Sequence, residues 1–202
     1  MHDPNSLAIR KGVSERVAAG PKGTKASVVD LGCGGGLLLE RLAEMGFTDL
    51  AGVGWNISVP EGALAVEEVD LAEKGWSARL AGRTFDTIVA TEVLEHLVNP
   101  HQFLVEARRL STPQTRLILT FPNVHNLRSI VGYAVSGRFS GFFGPNWNDN
   151  HPLYDQHIFI PNMHLVAYFL KVAGFALDRV DYLHGSSKLF SQTAMIEAKA
   201  VA

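Results

Sequence analysis

The chain has 202 residues, 47% of them hydrophobic and 19% charged, with a formal net charge of −2: one domain with a substantial core, too short for two ordinary ones. Lysine and arginine are spread too thinly for a nucleic-acid face, and no apolar run reaches the roughly 20 residues that a membrane helix needs. Cys33 is the only cysteine, which excludes an intrachain disulfide and a thiolate metal cluster, and Met1 to Arg10 lacks the apolar core of a signal peptide, so a cytoplasmic protein is the expectation.

In chain order, residues 1–26 are polar, with Leu7, Ile9, Val13 and Val17 spaced for a short docking helix. Ser27 to Leu31 is a β-branched run that reads as a buried strand. It breaks into Gly32-Cys33-Gly34-Gly35-Gly36, after which Leu38, Leu42 and Met45 fall on one helical face. Strands are predicted at Asp49–Gly54, Ala63–Val69, Phe85–Ala90 and Arg116–Phe121, with a helix opened by Asn99-Pro100 and running through Leu110. This alternation predicts a parallel sheet with right-handed crossovers.

From Pro122 to Gln156 the rhythm fails. The segment is rich in Gly, Asn and aromatics (Phe139, Phe142, Phe143, Trp147, Tyr154), with a short helix at Arg128–Val135 and an irregular stretch at Gly141–Pro152. It reads as an ordered lid, residues 122–157, within one domain spanning 1–202. A helix over Pro161–Ala173, capped by Gly174, and strands at Phe175–Leu183 and Thr193–Lys199 close the chain.

The glycine-rich turn between strand and helix serves a physical purpose, because bare backbone turns sharply and lets a ligand lie against the main chain. It also leads into a helix whose free N–H groups face the same crevice. A phosphate loop would need Lys-Ser/Thr after the last glycine, where Leu37-Leu38 stand. A dinucleotide loop would need a glycine at position 37. The stretch Asp30-Leu31-Gly32-Cys33-Gly34-Gly35-Gly36 resembles the first motif of class I S-adenosylmethionine-dependent methyltransferases. Phe85-Asp86-Thr87-Ile88-Val89-Ala90-Thr91-Glu92-Val93-Leu94-Glu95-His96 resembles their fourth motif, in the subgroup reading E-V-L-E-H. Leu117 to Asn123, ending in Pro-Asn, and Asp155-Gln156-His157-Ile158-Phe159 followed by a helix and Ala173-Gly174-Phe175 are similar to later blocks of that subgroup, which includes ubiquinone-pathway and polysaccharide-associated enzymes.

The resemblance implies a Rossmann-like, doubly wound α/β fold with a seven-stranded sheet, mostly parallel with one antiparallel edge strand. It implies S-adenosylmethionine as cofactor, with Asp30, Gly32, Cys33, Gly34 and Gly36 around its methionine end, Asp70 and Leu71 near its adenine, and Thr91 and Glu92 alongside. Two departures stand out. The acid that ends the second strand in this family, and takes the ribose hydroxyls, is replaced by Gly54, leaving Asn56 and Trp55 as substitutes. The helix between the second and third strands shrinks to Ser58–Gly62.

Glu92, Glu95 and His96 are spaced for one face of a helical turn. The favoured reading has no metal: Glu92 sits near the cofactor, and Glu95 and His96 shape the pocket floor. The other reading is a divalent metal on Glu92, Glu95, His96 and His157, as in some small-RNA and ubiquinone-pathway methyltransferases, with ligands suited to manganese or cobalt. His125, following Pro-Asn, is the general-base candidate together with Glu92. His151, His164 and His184 read as surface or second-layer residues. The expected function is methyl transfer to an oxygen, nitrogen or carbon of a small-molecule, lipid-linked or sugar-linked substrate, with no nucleic-acid partner and no membrane insertion. A non-catalytic cofactor-binding module and a nicotinamide-dependent oxidoreductase are the alternatives.

Overall fold

The computed structural model describes residues 4–142, 156–185 and 187–201. Phe143, Trp147, His151, Tyr154 and Asp155, singled out above, lie outside the described residues. The elements are α1 (Pro4–Ala18), β1 (Val28–Leu31), α2 (Leu37–Glu44), β2 (Leu50–Val53), β3 (Leu64–Val66), β4 (Phe85–Thr91), α3 (Pro100–Arg109), β5 (Ser111–Pro122), α4 (Leu127–Ser136), α5 (Met163–Val172), β6 (Phe175–Leu183) and β7 (Thr193–Ala200).

The strands form one seven-stranded sheet in the order β3-β2-β1-β4-β5-β7-β6. The pairs from β3 to β5 are parallel, and β7 runs against both β5 and β6 at that end of the sheet. The strand order reverses between β1 and β4, which opens a crevice at their carboxyl ends. β1 and β2 are buried at every position because they lie in the middle of the sheet with helices over both faces. One layer of the core joins Phe85, Phe103, Phe121 and Phe175 with α3 and α5. The other packs Ile9, Val13 and Val17 of α1 against Leu38, Leu39 and Leu42 of α2. Leu7, expected on the docking face of α1, is exposed.

Several boundaries differ from the sequence reading, each for a local reason. β3 stops at Val66 because Glu68 takes a left-handed conformation, φ +53°. β5 starts at Ser111 rather than Arg116, because Thr115 Oγ1 donates to the Phe85 carbonyl and accepts from the Thr112 amide, holding a bulge inside the strand. α5 begins at Met163 because the Asn162 side chain accepts from the His164 amide and caps it. Gly174 ends that region at φ +87°, as the sequence predicts.

The C-terminal end of α1 is tied to the sheet by a buried ion pair. Arg116 donates to Glu197 at 2.6 and 3.1 Å and to the carbonyls of Arg16 and Val17 at 2.8 and 3.3 Å. Burial pushes the Glu197 carboxyl up, but the hydrogen bonds and charges of Arg116 and Arg16 outweigh it and hold the group below its ordinary value. Glu197→Ala strands a buried guanidinium and is expected to cost about 3–5 kcal/mol in urea unfolding at pH 7. A depressed carboxyl pKa stabilises above the unfolded value, so the difference from wild type is expected to shrink as pH falls below about 4.

Candidate functional site

The glycine loop is shaped by what it touches. Gly36 caps α2 at φ +74°, and a Cβ there would lie 2.2 Å from the Ser58 carbonyl oxygen. The Ser58 amide in turn donates to the Gly34 carbonyl at 2.8 Å. The chain between β2 and β3 is therefore an irregular strap pressed against the loop. On its other side Gly32, φ +82°, is flanked by Val93 and Leu71, whose side chains would stand 2.7 and 3.7 Å from a Cβ. Gly34 needs its left-handed φ of +48°, whereas Gly35 has an ordinary φ and only open space beside it. Cys33 packs its thiol toward Gly52, and burial, then the Asp30 charge, push that thiol up to about 12. It is a small packing residue with no nucleophilic character.

At the carboxyl ends of β1, β4 and β5 a cleft of about 1150 Å³ opens. Its floor is Asp30, Gly32, Cys33, Gly35, Thr91 and Glu92. Ser6, Ile9 and Arg10 of α1 form one wall, and Pro122, Asn123, Val124 and Asn126, at and just beyond the end of β5, another. Leu127, Val131 and Val135 of α4 face the mouth together with Leu189 and Phe190 from the β6–β7 connection. The mouth is apolar and open: Val135 is 83% and Phe190 63% exposed.

The floor carries buried oxygens with no hydrogen-bond partner among the described residues: Asp30 Oδ1, Thr91 Oγ1 and Glu92 Oε1. Burial pushes the Asp30 carboxyl up to about 7, and burial likewise raises Glu92 to about 7. Such acceptors are costly when left dry and suit a ligand that brings N–H donors or positive charge. Arg10 and Arg128 are arginines among the lining residues, and the Arg10 guanidinium is bonded to the Ser6 hydroxyl.

Other predicted site residues stand elsewhere. Gly34 and Gly36 shape the loop from behind, and neither lines the cleft. Gly54, Trp55, Asn56, Asp70 and Leu71 also lie outside its lining. Gly54 extends the β2–β3 pairing, its amide donating to Val66 and its carbonyl accepting from Val69. Trp55 is 64% exposed, Asn56 sits at φ +51°, and Asp70 accepts from the Ala72 amide. His125 does not face the cleft. Its Nε2 lies 3.4 Å from the Asn162 side-chain nitrogen, and burial, followed by Lys188 and His164, lowers its pKa. His184, read as peripheral, lines the mouth.

The E-V-L-E-H block is not one helical face. Glu92 takes φ +53°, its amide donating to Thr120, and only Leu94–His96 form a short turn. Glu92 therefore turns to the cleft while Glu95 points into the core. There Glu95, His96 and His157 come together, with ligating atoms within 4.8 Å of one another. Both Glu95 carboxylate oxygens are buried without a hydrogen-bond partner among the described residues, and burial, then the Glu92 charge, push that carboxyl well above its ordinary value. His96 Nδ1 lies 3.1 Å from the Gln156 carbonyl, and the His96 and His157 rings meet edge-on at 4.8 Å. The amides of Ile158 and Phe159 both donate to the Glu95 carbonyl, which brings His157 to this spot.

Ser6, Ile9, Arg10, Gly35, Leu189 and Phe190 enter the site without having been predicted. The i, i+3, i+4 spacing of Ser6, Ile9 and Arg10 groups them on one helix face, but nothing local says that this face meets a cleft. Gly35 is found only when the space beside it is known.

A family model described as a methyltransferase domain matches residues 6–179. The ubiquinone biosynthesis O-methyltransferase of Azorhizobium caulinodans is 33% identical over 142 residues, covering 67% of this chain and 49% of that protein. The mitochondrial ubiquinone biosynthesis O-methyltransferase of Arabidopsis thaliana is 30% identical over 144 residues, covering 65% and 44%. The chain thus spans about half the length of these curated relatives. Among solved structures, the magnesium protoporphyrin IX methyltransferase of Synechocystis PCC 6803 with bound SAH superposes with a TM-score of 0.67 at 19% identity, covering 99% of this chain and 89% of that one.

The raised Asp30 carboxyl makes the ligand-free protein pH-sensitive. A carboxyl whose folded pKa exceeds its unfolded value contributes stability below the unfolded pKa and loses it as pH rises through the folded one. Asp30→Asn is therefore expected to stabilise the ligand-free chain by on the order of 2 kcal/mol at pH 8 and by little at pH 4, read from urea midpoints at the two pH values.

Proposed function

Because the chain belongs to the class I S-adenosylmethionine-dependent methyltransferases, with S-adenosylmethionine as its cofactor, we propose that it methylates a hydroxyl oxygen on an apolar, aromatic small molecule. The observation that carries this reading is the cleft itself: a floor of unpartnered buried oxygens beside a bare glycine loop, under an apolar mouth. The floor fits a cofactor with an ammonium group and a sulfonium. When bound, that cofactor supplies an electrophilic methyl group. The family match displaces the nicotinamide-dependent oxidoreductase weighed from the glycines.

In this reading Asp30 accepts from the ammonium, and Arg10 pairs with the carboxylate at the other side of the methionine end. Gly32 and Gly35 let the backbone approach, and Thr91 and Glu92 line the side where the methyl group is presented. Leu71 and Val93, which flank Gly32, lead toward the adenosine, with Trp55, Asn56 and Asp70 beyond. Glu92 is the base candidate in place of His125. A buried carboxylate facing the cleft takes a proton from a phenol, pKa about 10, far more readily than from an alkyl hydroxyl. Leu127, Val131, Leu189 and Phe190 hold the apolar part of the acceptor and shed water from the reaction. The relatives named O-methyltransferase support oxygen as the atom.

A second reading concerns a cation. Glu95, His96 and His157 offer one carboxylate and two imidazoles within 4.8 Å, a donor set that fits manganese or cobalt. A metal there would supply Lewis acidity beside Glu92 and would brace the chain around His157. It needs neutral imidazoles, so binding weakens in acid.

Gly35→Leu places a side chain into open cleft space without backbone strain. It is expected to leave the unfolding midpoint near wild type and to weaken S-adenosylhomocysteine binding at least 100-fold by calorimetry, about 3 kcal/mol. Unchanged affinity would remove the loop from the cofactor site. Arg10→Ala is expected to cost about 1.5–3 kcal/mol of the same binding energy, the range for a charge-assisted hydrogen bond. For the metal, Mn²⁺ added to the chelated protein is expected to raise the melting temperature of wild type and not of His157→Ala. No shift in wild type would leave the three side chains as a core cluster.

A further inference from the structure

Asn123 is 4% exposed and stands where β5 leaves the sheet. Its side chain spends both amide protons on one loop, Nδ2 donating to the carbonyls of Lys188 at 2.7 Å and Ser191 at 2.8 Å. Its Oδ1 accepts from the His125 amide at 3.1 Å. Two carbonyls on one side and an N–H on the other allow only one orientation of the amide.

The main chain of Asn123 extends the same pattern. Its N–H donates to the Gln192 carbonyl at 2.7 Å, and its carbonyl accepts from the Asn126 amide at 3.2 Å and from Asn126 Nδ2 at 2.6 Å. Asn126 then caps α4, its Oδ1 accepting from the Ser129 amide at 2.8 Å. The next amide, Leu127, donates to the Leu189 carbonyl at 2.8 Å. One residue on the rigid sheet thus holds the first turn of α4 and the 187–192 loop together. These two segments carry the apolar mouth, Leu127 and Val131 on one side and Leu189 and Phe190 on the other.

We infer that Asn123 is a positioning residue for the methyl acceptor: it sets the spacing between the two apolar walls and acts through them, with no donor left for a substrate. The inference rests on the methyl-transfer reading of the cleft. The physical case is that the loop has no strand partner of its own at Lys188 to Ser191. Removing Asn123 Nδ2 leaves two carbonyls there without their donor. An acceptor wall displaced by about 1 Å changes the reactive geometry without changing which groups are present. The cofactor floor at Asp30, Thr91 and Glu92 is built from other strands and stays in place.

The test compares wild type, Asn123→Ala and Asn126→Ala in the intact chain loaded with S-adenosylhomocysteine. Amide hydrogen exchange in Asn123→Ala is expected to rise at least tenfold in 124–136 and in 187–192 together, with β1, the glycine loop and β4 unchanged. In Asn126→Ala it is expected to rise in α4 only. S-Adenosylhomocysteine affinity should stay within twofold in both. With the hexyl ester of 3,4-dihydroxybenzoate as acceptor probe, Asn123→Ala should raise the probe's KM at least tenfold and leave the KM for S-adenosylmethionine unchanged. Exchange that rises evenly over the whole sheet, or in one segment alone, overturns the inference, as does a parallel loss of S-adenosylhomocysteine affinity. If wild type methylates no catechol, the hydroxyl-transfer reading fails by itself, and the paired exchange response still decides whether Asn123 couples the two walls. Should Asn123→Ala not fold, Asn123→Asp keeps the size and the His125 bond while losing both donors, and carries the same expectations.

Discussion

The close approach of Ser58 to the glycine loop is the constraint on which the site depends. A carbonyl 2.2 Å from where a Cβ of Gly36 would be leaves no residue but glycine at that position. The Ser58 amide on the Gly34 carbonyl then fixes the loop from behind with a main-chain bond. The usual arrangement puts a helix between the second and third strands. Here an irregular strap takes its place, and its backbone does part of the loop's shaping. Because the bracing lies on the far side, the cleft-facing edge at Gly35 stays bare, while Gly32 is packed by Val93 and Leu71. Rigidity at the back and emptiness at the front come from the same contact.

That emptiness explains the electrostatics of the floor. Asp30 is held on a strand buried on both faces, its Oδ1 has no donor among the described residues, and burial alone raises the carboxyl. A protein that only needed a strand end would place a small apolar residue there. Glu92 is brought to the same floor by a left-handed backbone, and its carboxyl stays close enough to Glu95 for its charge to raise that group. Two acids close together in sequence thus serve two environments, one facing the cleft and one facing the imidazoles. The floor is a destabilised arrangement in the absence of a cationic ligand, which is the form that stored binding energy takes at many sites.

Much of this was legible in the residues. The apolar, β-branched runs predicted the central parallel strands, which cannot be mistaken for polar loops, and the edge strands β3 and β6, mostly exposed or half-buried, were marked by Gly62 and Gly174 ahead of them. The glycine loop and Asp30 were legible because turn chemistry and a buried acid leave local marks. The rest depended on tertiary context. Reading Glu92, Glu95 and His96 as one helical face assumed a helix that the left-handed Glu92 prevents, so a spacing rule was applied where its geometry is absent. His125 was placed at the pocket from its neighbours Pro122 and Asn123, but α5 packs beside it and turns it toward Asn162. Asn123 stood in the sequence only as the end of a Pro-Asn block, and its hydrogen bonds go to a loop more than 60 residues away in sequence. Bonds that span such separations have no local signature.

Arg10 is the clearest case of a site residue placed from a distance. It lies on α1, and α1 is fixed at its other end, where Arg116 donates to the carbonyls of Arg16 and Val17 and is itself held by Glu197. An α-helix rises about 1.5 Å per residue, so roughly 10 Å of rigid rod separates that anchor from Arg10. Ile9, Val13 and Val17 bury the intervening face and prevent the rod from rolling. The anchor belongs to β5 and β7, and β5 at its other end carries Asn123 and the apolar walls. The cation on one wall of the cleft and the spacing of the opposite wall are therefore referred to the same strand. Its two ends carry a buried ion pair and a buried amide, polar contacts of defined geometry that apolar packing, which tolerates sliding, would not replace.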